Sequence, residues 1–112
     1  MIKITTKKAN TDIKVFKILE EFHGRHVGPW HRLYTYERGS NVPEEPEYYS
    51  YLTGRGWLSV FDNEERAKSW KEILEKDFPE KKYTILEMKI PKGTEYIHHM
   101  TAHEYKAKEL IW

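Results

Sequence analysis

The sequence contains no cysteine, so disulfide bridges, thiolate metal centres, iron–sulfur clusters and cysteine nucleophiles are all excluded. It has no apolar run near the roughly 20 residues that a helix needs to cross a bilayer. Its opening Met-Ile-Lys-Ile-Thr-Thr-Lys-Lys lacks the apolar block of a secretory signal. Neither sign of charge dominates, because 19 Lys and Arg face 18 Asp and Glu and leave a formal net charge of +1. That balance gives no whole-molecule attraction to duplex nucleic acid or to an anionic membrane. The expectation from these absences is a soluble, cytoplasmic protein with no membrane partner, stabilised by its core.

Large rings are what the chain has in quantity. Aromatic residues make up 14% of the 112 positions, too many for a disordered segment, and one domain over residues 1–112 is the expectation. A chain of this length buries about two thirds of its unfolded surface, which suffices without a metal or covalent brace. Charge is segregated along the sequence, with +4 over residues 1–38, −5 over residues 39–80 and +2 over residues 81–112. The basic first segment also holds His23, His26 and His31, so it gains positive charge on mild acidification. The stretch Gly39 to Pro46, with its Gly, Ser, Asn and two prolines, reads as the one clear loop.

The clearest element is a helix from Asp62 to Asp77, with Asp62 as cap, Glu65 completing a capping box and Phe78-Pro79 as terminator. Ala67, Trp70, Leu74 and Phe78, flanked by Ile73, form its inward stripe. The surrounding segments are short, β-branched or aromatic, and punctuated by Gly and Pro. Strands are expected at Met1 to Thr5, Leu33 to Glu37, Trp57 to Phe61, Lys82 to Ile90 and Glu104 to Ile111, with a turn at Pro91-Lys92-Gly93. Asp12 to Phe22 fits both a helical face and a strand, and the balance falls to a strand through Leu19. The resulting fold class is α+β, a bent, mostly antiparallel sheet of five or six strands with one principal helix packed on it.

Several chemistries are weakly represented. The histidine pairs His23/His26 and His99/His103 lack the helical His-Glu-x-x-His arrangement, so no metal site is assigned. None of the four serines sits in a Gly-x-Ser-x-Gly elbow, and no phosphate-binding glycine loop exists. More suggestive is the aromatic and basic material around the loop, with Trp30, His31, Arg32, Tyr34 and Tyr36 before it and Tyr48, Tyr49, Tyr51, Arg55 and Trp57 after it. Rings beside Arg can stack a base and neutralise a phosphate, although tyrosines at alternating strand positions also serve as cross-strand packing partners.

The order of segments resembles that of small phage and prophage proteins. An opening strand, Lys14-Val-Phe-Lys-Ile, is followed by a Tyr- and Gly-containing loop. A Gly-aromatic strand, Gly56-Trp-Leu-Ser-Val-Phe, then leads to a helix with Ala67, and Ile90-Pro-Lys-Gly-Thr-Glu-Tyr turns towards a last strand, Glu104-Tyr-Lys-Ala-Lys-Glu-Leu-Ile. More distantly the order is similar to a minimal ADP-ribosyltransferase domain, in which NAD lies across a split sheet. That resemblance implies a NAD contact at Ser59 and the first residue of a Glu-x-Glu pair at Glu104. It also sets Lys106 where the catalytic Glu belongs, and Lys14 or Lys17 where the family has Arg or His. A cation cannot stabilise the positive charge of glycosidic cleavage, so turnover would require another carboxylate, such as Glu109.

The expectation is therefore a non-enzymatic, phage-type protein, located in the host cytoplasm if the source is viral, that binds a host component without a cofactor, either sequestering a nucleotide signal or blocking a host protein. Its ligand-binding residues would be Tyr51, Arg55, Trp57, Ser59, Lys92 and Glu104. The alternatives are an ADP-ribosyltransferase-like enzyme using Glu104 or Glu109, and an interaction module without a pocket. For the module, a homodimer and the terminal Leu110-Ile-Trp112 are the features to examine.

Overall fold

The computed structural model describes residues 6–29, 35–42, 49–50, 54–55 and 57–112. In chain order these form β1 (Lys7–Lys8), β2 (Ile13–Phe22), β3 (Arg25–Val27), β4 (Thr35–Tyr36), β5 (Ser40–Asn41), β6 (Tyr49–Ser50), β7 (Gly54–Arg55), β8 (Leu58–Phe61), α1 (Glu64–Asp77), β9 (Lys82–Ile90), β10 (Glu95–His99), β11 (Glu104–Ala107) and β12 (Leu110–Ile111). The fold is α+β, with one helix on a bent antiparallel sheet among the described residues, and that sheet has ten described strands rather than five or six. The order β1-β10-β11-β8-β2-β9-β12-β5 is extended by β3 on β2 and β4 on β3, while β6 and β7 form a separate ladder.

The spine is β2 against β9, paired without interruption from Ile13↔Ile90 to Glu21↔Lys82. Alternation along β2 supplies two cores, because successive side chains point to opposite faces. Phe16 and Ile18 meet Phe61, Ala67, Trp70 and Leu74 under the helix. Val15 and Leu19 face the other way, into a cluster with Tyr36, Leu58, Val60, Met88, Ile90, Ala107 and Leu110. The second cluster draws on β4, β8, β9, β11 and β12, so the sheet bends around it. Trp112 packs at its margin and exchanges backbone hydrogen bonds with Gly39.

The other edge of β2 is divided. It meets β8 through the pair Phe16↔Phe61 and meets β3 through Glu20↔Val27 to Phe22↔Arg25. Between these contacts the sheet forks into one wing of β8, β11, β10 and β1 and another of β3 and β4. The second wing is launched by the turn His23-Gly24, where both residues have positive φ, 49° and 76°. That backbone matches the right-handed twist of a two-residue hairpin.

Several local expectations are corrected. The helix cap is Asn63 rather than Asp62, since the Asn63 side chain accepts from the Arg66 amide at 2.8 Å. Ala67 and Leu74 are buried as expected, whereas Ile73 and Phe78 are 47% and 42% exposed. Ile73 precedes Leu74 by about 100° of helix and faces solvent, and Phe78 is the C-cap, where a φ of −132° leaves the helical path. The expected strand from Glu104 to Ile111 breaks after Ala107 into β11, beside β8 and β10, and β12, beside β9 and β5. Ser40–Asn41 is a strand within the stretch read as loop. Met1 to Thr5 lies outside the described residues, as do positions 33 and 34 of the strand expected at Leu33 to Glu37.

Asn63→Ala is expected to lower stability by about 1 kcal/mol, the usual worth of an N-cap. In urea denaturation the midpoint should fall with the slope unchanged; a variant as stable as the parent would remove Asn63 from the cap.

Candidate functional site

Lys17 sits at the fork. Its neighbours on that face of β2 are Val15 and Leu19, both in the apolar cluster, yet its own ammonium is buried with the residue only 7% exposed. Nζ donates to the Ser59 carbonyl of β8 at 2.7 Å, at a level where β2 and β8 have stopped pairing. From the opposite wing the Tyr36 ring of β4 faces the same ammonium, 5.1 Å from its centroid. Lys17 thus touches both arms of the fork. Burial, reinforced by the positive charge of Lys106 and opposed by Glu104, brings its pKa from 10.5 down to about 7.

Ser59 is approached by a second cation. Register pairs Ser59 with Lys106 across β8 and β11, and the Lys106 ammonium donates to the Ser59 hydroxyl. Glu104, two residues earlier on the same face of β11, lies 3.7 Å from that ammonium. Just ahead of β8, two residues before Ser59, is Trp57, whose ring has the Lys108 ammonium 4.4 Å from its centroid. Alternation therefore sets Trp57, Ser59 and Phe61 beside Lys108, Lys106 and Glu104 on one face of the wing. With Lys17 reaching in through the fork, two ammonium groups, those of Lys17 and Lys106, converge on Ser59, and among the described residues Glu104 is the carboxylate beside them. Also on this face, paired with Glu104, is His99, whose Nε2 is buried with no hydrogen-bond partner among the described residues.

The structure brings together three of the residues singled out in the sequence, Trp57, Ser59 and Glu104, and adds Lys17, Lys106 and Lys108. Lys92 lies apart, on the exposed turn between β9 and β10, where its amide donates to Asp12 at 2.9 Å. Glu109 follows β11 and accepts from the Ser40 hydroxyl of β5, away from the Ser59 cluster. The backbone of Arg55 belongs to β7, paired with Tyr49, and Tyr51 lies outside the described residues. Lys17 was signalled in the sequence by a cation alternating with the apolar Val15 and Leu19. Lys106 was signalled by its two-residue spacing from Glu104.

A second polar cluster braces the end of β8. The Asp62 carboxylate meets His98 Nε2 at 2.9 Å, His103 Nδ1 at 3.4 Å and the Asn63 amide at 2.8 Å. His98 stacks on Tyr105, with ring centroids 4.1 Å apart. His103 reaches the carboxylate from a left-handed backbone, φ 55°, and its carbonyl accepts from the Asp62 amide at 2.8 Å. Burial by itself would raise the Asp62 pKa. Hydrogen bonds from His98 and Asn63 and the charges of His103 and His98 outweigh it and hold the carboxyl below its ordinary 3.8. Among the described residues no group of three or more His, Asp or Glu is arranged to hold a metal ion.

Two pH dependences follow. Lys17 binds its proton less tightly folded than unfolded, so its contribution makes stability rise with pH between about 7 and 10.5. Lys17→Met should abolish that rise; urea denaturation across that range measures it, and a rise that persists in the variant would remove Lys17 as its source. Asp62 has the opposite sense, stabilising above its unfolded pKa and losing that contribution as pH falls through its lower folded value. Asp62→Asn should therefore show a shallower loss of stability below pH 4 than the parent, and an identical acid limb would count against the clamp. No family model matches the sequence, and no curated protein or solved structure shows significant similarity to it.

Proposed function

We propose that the protein binds a nucleotide-type anion at the fork and holds it without turning it over. The observation that carries this reading is the pair of ammonium groups fixed on one residue, Lys17 on the Ser59 carbonyl and Lys106 on its hydroxyl. Both cations are already positioned, so little side-chain entropy remains to be lost when an anion arrives. Hydrogen bonds to charged groups in such partly desolvated sites contribute more than neutral ones. Trp57, on the same face, offers an edge or a displaceable ring face to a base.

Catalysis is disfavoured by the same geometry. Glycosidic cleavage builds positive charge on the sugar, which a carboxylate stabilises and an ammonium opposes. The position beside Ser59 holds Lys106, and the acid beside it among the described residues, Glu104, is ion-paired to it. Retention without cleavage suits the sequestering role implied by the resemblance to phage proteins, in which a small protein withdraws a nucleotide signal from a host.

Titration calorimetry with ADP-ribose, NAD and AMP tests the reading. Binding of at least one is expected, weakened about 10- to 100-fold by Lys106→Met, the range for losing a charged hydrogen bond. NAD should be recovered intact by chromatography after prolonged incubation. Nicotinamide release that disappears in Glu104→Gln would replace binding by catalysis, and absence of binding to all three would overturn the nucleotide assignment.

A further inference from the structure

The two cations at Ser59 differ in environment. Lys106 keeps a partner carboxylate, Glu104, at 3.7 Å and part of its side chain in solvent. Lys17 has neither advantage. Its ammonium bonds a neutral carbonyl and faces a neutral ring, and among the described residues the other charged groups around the fork are Lys106, which repels it, and Glu104, which is engaged by Lys106. The remaining titratable group against it is Tyr36, presented by β4. Below it in the β2–β9 ladder is apolar Leu86. Among the described residues, a charge in this position lacks a counter-ion of its own.

Resting on the anion-binding reading, we infer that the ligand itself is the missing counter-ion, and that Lys17 takes up a proton when the ligand binds. In the free protein the amine near neutral pH is divided between charged and neutral forms. An anion held at Ser59 by Lys106 favours the charged form, so binding and protonation are linked. By reciprocity, alkaline solution weakens the ligand. The binding-competent fraction of the free protein shrinks as Lys17 loses its proton, and the apparent affinity falls with it.

ADP-ribose is the suitable probe, because its pyrophosphate diester carries the same charge between pH 7 and pH 8.5. Calorimetry at pH 7 in buffers of different ionisation enthalpy should give an observed enthalpy that changes with the buffer, corresponding to uptake of about half a proton. The affinity should fall about tenfold between pH 7 and pH 8.5. Lys17→Arg, whose guanidinium stays charged throughout, should bind equally at the two pH values, whatever its absolute affinity. Should that variant fail to fold, the lysine side-chain resonances of the parent provide the second measurement, with the Lys17 titration midpoint moving upward when ADP-ribose is added. Binding with no buffer dependence, or a Lys17 midpoint that ligand leaves in place, overturns the linkage while the anion site stands. Absence of ADP-ribose binding at pH 7 overturns the linkage at its premise.

Discussion

Two wings of one sheet separate at Phe16, and the bond from the Lys17 ammonium to the Ser59 carbonyl ties them where backbone pairing has ended. The requirement is geometric. Beyond Phe16↔Phe61, β8 follows β11 in one direction while β2 continues towards β3 in the other, and the opened gap exposes main-chain polar groups to an apolar interior. A long side chain with a donor at its tip can stay rooted in β2 and reach across. A leucine there would fill volume and leave that carbonyl without this donor, with a desolvation cost of the order of 1–3 kcal/mol if water could not replace it.

Retaining a charge in the interior has a cost of its own, visible in the depressed Lys17 pKa. On the helix side Glu20 is likewise buried, at 1% exposure, with the Lys81 ammonium 3.9 Å away. Thus β2 carries an internal cation on one face and an internal anion on the other, separated by two residues. A slip of one residue in its pairing would turn Lys17 towards the helix, setting a charge among apolar side chains, and Ile18 towards the fork, leaving the Ser59 carbonyl without its donor. The polar residues therefore sharpen the register that the apolar alternation already favours.

Legibility in the sequence followed the range of the interactions. Helix α1 and strand β9 were readable because periodicity, caps and turn residues lie within the segments themselves. The helix start was displaced by one residue because Asp62 and Asn63 are both competent caps, and a tertiary demand separates them: Asp62 is occupied by His98 and His103. The hairpin into β3 was hidden because its turn is His23-Gly24 rather than the commoner Asn-Gly or Asp-Gly. Ser59 and Glu104 were nameable from the order of segments, but the fork was not. It depends on Lys17 meeting Ser59 and on Lys106 meeting Ser59, contacts between residues 42 and 47 positions apart. The lysine at 106 reads in sequence as a departure from an acidic motif; in three dimensions it is half of a cationic pair.

The β2–β9 ladder also bears on how the molecule is made. Its closest-spaced pair, Glu21↔Lys82, closes a loop of about sixty residues, and every other pair in it closes a longer one. A chain emerging from the ribosome presents β2, with its run of apolar side chains on two faces, well before the partner strand exists. Among the described residues, the local β2–β3 hairpin and then the short contact with β8 are available to it in that interval. The segment that later carries the buried lysine thus spends much of synthesis as an open edge, a natural point for a chaperone to hold.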